Sequence, residues 1–436
     1  MKKYFRPGQI AAILIANMIG TGVFTSLGFQ VLDIHSGYAI LLLWLIGGVV
    51  SMLGAICYSR LTILMPRSGG EYVFLSKIYH PSLGFLSGWV SLIIGFAAPI
   101  AAASFAFGCY FDNFNPWIFQ TFGFTISPTT AGAGVILFLT ALNILKKIAG
   151  AKFQFVFTTI KILSILSIIA IGLSVPETGN TTFALDQTFS SEIFSPAFAI
   201  SLFFISYSYS GWNALCYITE EIENPQKKIF KNLLLGTSFV TVIYVALNYA
   251  FLRVIPTEDL SGCPDIVMKF AEHAISPSVA HLASGLICVL LISTINSMII
   301  IGPRVSKSMG EDFSKLNFLS KENKDESPYF GLIIQLVLAL GYLLTASFEQ
   351  LIIYTGFVLN IFTFLSVLGL FFIKENTDRF KIKKLIAPIL FLSYSLWLLF
   401  YGVYRKPLES GIGIAVCLLG LIVYFMIRQS SVKLKA

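Results

Sequence analysis

Long apolar runs alternate with short polar links from one end of the chain to the other. Twelve runs of about 20 residues, each enough to span a bilayer as a helix, are read at roughly 8–32, 37–59, 83–110, 129–146, 153–174, 194–217, 232–254, 278–302, 329–346, 349–373, 384–402 and 409–427. No link between them is long enough for a soluble domain. The first run follows Lys2, Lys3 and Arg6, as a signal peptide would. It is too long for one, and no small-residue cleavage site follows it, so it reads as the first span. The expected fold is an all-α polytopic membrane protein.

Two of the runs are interrupted. The first carries Gly20-Thr21-Gly22 at its middle, inside "IANMIGTGVF". The sixth carries "SYSYSGWNA", Ser206 to Ala214, where hydroxyl residues run into Gly211. Glycine weakens a helix by about 1 kcal/mol per residue, and backbone groups freed inside a bilayer need partners. The breaks open two successive blocks of five runs, 1–5 and 6–10. Paired interrupted helices at matching positions point to inverted-repeat transporters, and an odd number of spans per block gives the halves opposite orientation. The expected organisation is a first repeat at 1–175, a second at 194–373, and a remainder at 384–436. The repeat rests on spacing, without residue-level similarity between the halves.

A broken spanning helix exposes two helix ends. One presents free N–H groups with partial positive charge, the other free carbonyls with partial negative charge. Together they suit the carboxylate and ammonium of a zwitterion. The N–H groups of Gly20, Thr21 and Gly22 are expected to face a carboxylate. Carbonyls at Met18 and in Tyr207-Ser208-Tyr209-Ser210 are expected to face an amine, with Gly211 completing the second break. The competing reading is that Gly-x-Gly is a close helix-packing motif. The second polar break, five spans later, favours binding.

Composition and charge support the membrane reading. The chain is 56% hydrophobic and 12% charged, against about 25% charged in soluble proteins. With the N-terminus inside, 25 Lys and Arg fall on the inner side and four on the outer: Arg253, Lys269, Arg405 and Lys406. That asymmetry places both termini in the cytoplasm of a multi-pass plasma (inner) membrane protein. The net charge of +8 is then a topology signal, and no nucleic-acid partner is read from it. The remaining cation, Lys161 in "FVFTTIKILSILSII", lies about nine residues, or ~14 Å, inside the fifth run. An intramembrane ionisable residue is a functional candidate by default.

The six cysteines show no metal or redox spacing, and no metal or cofactor is called for. In the outer link 255–277, apolar residues at helical spacing around Ile266 to Phe270 predict an amphipathic helix. Glu220, Glu221 and Glu223 follow the sixth run and are read as salt-bridge partners of Lys227, Lys228 and Arg60 rather than as acid–base groups. No nucleophile–base pair or phosphate loop is present, so an enzyme is not expected.

"IGTGVF", "MPRSGGEYVFL" (65–75), "GWNALCYITEEIENPQKK" (211–228) and the run from Asn296 through Arg304 to Asp312 resemble the amino acid–polyamine–organocation (APC) superfamily of secondary transporters. The likeness is to its L-type amino acid transporter and bacterial amino acid exchanger branch. It implies a five-plus-five inverted repeat whose first and sixth helices line an amino acid site. By that resemblance Thr21 and Gly22 match carboxylate-binding positions. Met18, Tyr207 and Ser210 match positions whose carbonyls take the amine, and Tyr207 an aromatic that closes over substrate. Lys161 matches a lysine that stands where sodium sits in sodium-coupled relatives. Its expected neighbours are loosened carbonyls of the first helix and Ser293 or Thr294 of the eighth. Either a fixed charge or a site that loads a proton each cycle fits Lys161, with the fixed charge preferred. Arg60 and Phe230 depart from the family pattern, where Glu and Pro are usual.

The expected function is alternating-access transport of an amino acid, by exchange or proton-linked symport. No Asp or Glu lies deep in a run, which favours neutral amino acids over a cationic amino acid or polyamine cargo. A membrane amino acid sensor that moves nothing is the alternative of another class. The expected partners are the amino acid and the lipid bilayer. The stretch 111–128 holds no Cys, where the resemblance would put the link to a glycoprotein heavy chain, so no disulfide-linked heavy chain is expected.

Overall fold

The computed structural model describes residues 5–145, 147–263, 265–276, 280–345, 348–373, 382–405 and 407–428. Among these it is helical throughout, with a single isolated bridge between Ser36 and Thr182. Nineteen α-helices follow in order. The first run gives α1 (Pro7–Met18) and α2 (Gly22–Gln30), and the second gives α3 (Gly37–Leu64). Then come α4 (Glu71–Ile78), α5 (Pro81–Val90), α6 (Ala97–Asp112), α7 (Asn115–Phe122), α8 (Pro128–Leu145) and α9 (Lys147–Ser174). The second half holds α10 (Gln187–Glu192), α11 (Pro196–Ser208), α12 (Pro225–Val254), α13 (Thr257–Leu260), α14 (Ile266–Ala274) and α15 (Ala280–Asp312). The last four are α16 (Tyr329–Thr345), α17 (Phe348–Leu368), α18 (Ile382–Arg405) and α19 (Pro407–Arg428).

Twelve comparable spans are expected from the sequence. Nine helices among the described residues are long and apolar enough to cross a membrane, counting α1 and α2 together. Three more apolar stretches are shorter: Pro196–Ser208, Tyr329–Thr345 and Thr355–Phe371. For the first of these the cause is the break itself, since α11 stops at Ser208 and the chain resumes as a 3-10 leg at Ala214–Glu221. The molecule is an integral, multi-pass type of helical bundle.

Local chemistry sets the helix ends. Ser36 and Ser195 cap α3 and α11, accepting from Ala39 N and Phe198 N, the usual service of a short hydroxyl to an orphan N–H. Pro81, Pro196 and Pro225 stand at the first position of their helices, where their missing N–H costs nothing. Asp265 caps α14 through Met268 N at 3.2 Å. That helix buries Ile266, Val267, Phe270 and Ala271, the apolar stripe that the sequence predicts there.

Burial ranks the helices. The α1–α2 pair is 89% buried over its apolar window and α19 only 28%, so the broken helix runs through the centre and the last helix is peripheral. The centre is also where the polar side chains gather. Asn17, Thr21, Lys161, Ser293, Thr294, Asn296 and Ser297 are all nearly inaccessible. Helix α3 packs along α12, α6 against α8, α15 and α16, and α18 against α3 and α17.

Candidate substrate site

The first helix fails where the sequence says it should. Helix α1 ends at Met18, Ile19 turns into extended backbone (φ −78°, ψ 92°), and α2 starts at Gly22. The N–H groups of Gly20 and Thr21 meet no acceptor among the described residues. The second break spans Tyr209 to Asn213, between α11 and the 3-10 leg. Its pivot, Gly211, has φ +92°, and a Cβ there would sit 2.7 Å from the Asn17 carbonyl oxygen. Only glycine satisfies both the left-handed turn and that approach.

The two breaks are joined by a tyrosine that the sequence reading did not single out. Tyr244 of α12 places its hydroxyl 2.7 Å from the Met18 carbonyl and 3.0 Å from the Ser208 carbonyl. These are the last carbonyls of α1 and α11, both orphaned by the breaks. Tyr244 also stacks edge-on against Trp44 and Tyr209, and Tyr209 donates to the Trp44 carbonyl at 2.8 Å. An aromatic bracket therefore holds the ends together from α3 and α12.

Lys161 lies fully buried on α9. Its Nζ donates to the Ile19 carbonyl and to Thr294 Oγ1, each at 2.7 Å. The Thr294 hydroxyl donates in turn to the same carbonyl at 2.8 Å. The loosened carbonyl of the first break is thus tied to α9 and α15. Ser293, the other expected neighbour, is engaged elsewhere: its hydroxyl accepts from Gln154 Nε2 at 3.1 Å and pairs with Thr158 at 3.2 Å. It belongs to a polar network with Gln154, Asn296 and Asn143.

A cavity of about 150 Å³ opens beside the second break. A dry cavity of that size admits a molecule as large as benzene. Tyr207, Ser210 and Gly211 form part of its wall, with Asn17 of α1, Ser51 of α3, Met298 of α15, Asn360 of α17 and Tyr394 of α18. The remaining sequence candidates, Met18, Gly20, Thr21, Gly22 and Ser208, are not part of that wall. Tyr207 connects the two groups, since its phenol interacts with the Thr21 side chain. Gly22 has a packing role: a Cβ there would come within 2.8 Å of Ser208 Cα. Ser26 and Ser208 pair their hydroxyls at 3.2 Å one turn further on.

Two wall elements were not legible. A π-helical turn, Ser91–Gly95, separates α5 from α6. Ser91, Gly95, Phe96 and Pro99 from this bulge region line the cavity, a common use of such bulges. The other is Glu71. The successive positive φ values of Gly69 (124°) and Gly70 (56°) turn the link after α3 back into the molecule. Glu71, the first residue of α4, then reaches the cavity wall while 96% buried. The sequence expectation is that no Asp or Glu lies deep in a run, and Glu71 reaches the interior from a link instead.

Ion pairs brace the end of the bundle nearest Phe5. Arg304 Nε donates to Glu221 Oε1 at 3.0 Å, and the Glu221 carbonyl accepts from Phe5 N at 3.0 Å. Arg67 pairs with Asp312 at 2.8 Å and with Glu311 at 3.1 Å, and Tyr72 donates to Asp312 at 2.6 Å. Of the expected pairings for the glutamates after the sixth run, Glu223 with Lys228 is present at 3.0 Å.

Residues 7–432 match the family described as "Amino acid permease". The chain belongs to the amino acid permease family. It is similar to the b(0,+)-type amino acid transporter 1 of Mus musculus, 26% identical with 95% of this chain and 85% of that protein covered. The large neutral amino acids transporter small subunit 2 of Mus musculus is also 26% identical, over 98% of this chain and 81% of that protein. The serine/threonine exchanger SteT of Bacillus subtilis (strain 168) is 27% identical, over 96% of this chain and 95% of that protein. The permease is therefore a membrane transport protein and not an enzyme.

Proposed function

We propose that this permease carries neutral amino acids across the plasma membrane by alternating access, binding one zwitterion between the two helix breaks. What carries the reading is the pairing of breaks: loosened ends at Ile19–Thr21 and Tyr209–Asn213, bracketed by Tyr244. The unpaired N–H groups of Gly20 and Thr21 receive the carboxylate, with Gly22 at the start of α2 adding to the positive helix end. The amine lies toward the carbonyls of the second break, in the Tyr207–Ser210 segment, and Tyr207 closes over it. Met18 contributes through the carbonyl that it shares with Tyr244. The side chain occupies the cavity lined by Tyr207, Ser210 and Gly211.

Lys161 supplies a fixed positive charge that holds the first break to α9 and α15 through Thr294, with Ser293 in the polar network beside it. Twelve spans in two inverted blocks of five, 1–175 and 194–373, followed by 384–436, give both halves one broken helix. Both termini lie in the cytoplasm, as the charge asymmetry supports. The carrier works by exchange or with a proton, and as a single chain without a disulfide-linked heavy chain. A thermal-shift screen of the purified protein against the common amino acids, at several pH values, tests the binding half. Stabilisation by neutral amino acids is expected, and no stabilisation by any would contradict it. Uptake into proteoliposomes separates a carrier from a sensor, which would bind without moving its ligand.

A further inference from the structure

Among the described residues, the acids other than Glu71 that pack inward have an arginine or backbone N–H groups as partners. Asp312 has Arg67 and Tyr72, Glu221 has Arg304, and Glu192 accepts the backbone N–H groups of His35 and Ser36 at 2.8 and 2.9 Å. Glu71 has neutral side-chain donors alone. Its Oε1 accepts from Tyr58 Oη and from Asn213 Nδ2, each at 2.8 Å. Tyr217 is a third neutral donor, itself bonded to Asn213 at 3.1 Å. Oε2 is buried without a hydrogen-bond partner, as is Asp312 Oδ1, but Asp312 has Arg67 on its other oxygen, whereas no Lys or Arg pairs with Glu71 among the described residues. A buried ion without a counter-ion costs several kcal/mol. A proton on the bare oxygen removes that cost.

The donors come from two kinds of element. Tyr58 belongs to the long helix α3, whereas Asn213 and Tyr217 belong to the second break and its 3-10 leg. The titratable groups facing Glu71 are Tyr58 from α3, and Tyr217 and Cys216 from the leg. We propose that the Glu71 carboxyl is a proton-binding site of this carrier, loaded while the Ala214–Glu221 leg is docked on it and emptied when the leg withdraws. The proposal rests on the amino acid transport reading above, and adds where its coupling proton sits. The proton is taken from water on the outer side while the leg is docked and is released to water on the inner side when the leg withdraws, so one proton crosses with the cargo and none is left on the carrier.

Burial pushes the Glu71 carboxyl above the usual carboxylate range, against the lowering pull of Tyr217, Tyr58 and Asn213. Withdrawal of the leg would remove two donors, which favours keeping the proton, and admit water, which favours losing it. Burial is the larger influence, so release wins.

The test uses the full chain in proteoliposomes with a trapped pH dye, and labelled L-serine, L-threonine, L-leucine and L-lysine as separate probes. Wild type is expected to take up a neutral probe faster under an inward proton gradient, with the dye recording protons entering alongside it. Glu71→Gln is expected to lose at least about tenfold of protons moved per probe molecule, whatever exchange rate it retains. An unchanged ratio would place the proton elsewhere and overturn the proposal. So would a Glu71→Gln carrier that loses L-lysine transport alone, since the carboxylate would then serve a cationic cargo. If Glu71→Gln does not fold, Tyr58→Phe and Tyr217→Phe each strip one donor. Both should shift the pH midpoint of uptake upward, and an unmoved midpoint overturns the proposal. A wild type that exchanges neutral probes without protons overturns the proton site and leaves amino acid transport standing. One that moves no probe overturns both.

Discussion

Lys161 reaches 2.7 Å from the carbonyl oxygen of Ile19, the residue at which the first broken helix leaves its helical path. The side-chain nitrogen is fully buried, with a backbone acceptor and a threonine hydroxyl within hydrogen-bonding distance. An ionisable side chain so placed is costly unless it holds something in register, and what it holds is the loosened backbone of the proposed site. Lys161→Ala should cut uptake in proteoliposomes at least about tenfold, since a charge-assisted bond is worth roughly 1.5–3 kcal/mol. Gel filtration should still give a monodisperse protein. Uptake at the wild-type rate would remove Lys161 from the mechanism.

The two glycines of the first break separate binding from packing. A Cβ on Gly20 would meet only Thr294 Cγ2, at 3.4 Å, whereas a Cβ on Gly22 would run into the Ser208 backbone. Gly20→Ala should therefore fold with a midpoint close to wild type and lose affinity for the amino acid by about tenfold, through obstruction of the ligand's approach. Gly22→Leu should lose both stability and binding. Equal affinity in Gly20→Ala and wild type, read by titrated thermal shift, would leave the motif as a packing device.

Tyr244→Phe keeps the aromatic bracket and deletes the hydroxyl that faces Met18 and Ser208. Two orphan carbonyls then lose their partner, so the ligand-free protein should be destabilised by about 1–3 kcal/mol. The check is the denaturation midpoint without amino acid. An unchanged midpoint would show that the hydroxyl is not what joins the broken ends.

Asp265, at the N-cap of α14 in the link after α12, has its carboxyl raised from 3.8 to about 6, mainly by burial. The unfolded chain gives up that proton first. Between about pH 4 and pH 6 this group therefore lowers stability as pH rises, and above that window its effect is constant. Asp265→Asn keeps a cap for Met268 N and removes the titration. The difference in thermal midpoint, variant minus wild type, should grow from pH 4 to pH 6 and then level off. A difference that stays flat would show that burial does not hold the proton on Asp265.

The bundle was legible in its long apolar runs, and both breaks in the glycine and hydroxyl clusters that interrupt two of them five runs apart. Lys161 stood out because a charge at that depth is rare, and its Thr294 neighbour followed from resemblance. Tyr244 did not stand out. A tyrosine in a spanning helix gives no local sign of which carbonyls it will meet across 226 residues of chain. Glu71 was missed for a different reason. Its depth depends on two positive-φ glycines folding a link inward, and hydropathy ranks it as a loop residue. Gly22 carried two meanings at once, and only the distance to Ser208 separates packing from ligand approach.

Counterflow tests most directly whether the carrier moves a zwitterion held between the two breaks. Proteoliposomes preloaded with an unlabelled neutral amino acid should accumulate the labelled one well above empty liposomes. Capping either its carboxylate or its amine should stop competition, because each helix break is assigned one end of the zwitterion. Counterflow that caps do not affect, or accumulation no higher than in empty liposomes across the neutral amino acids, would contradict it.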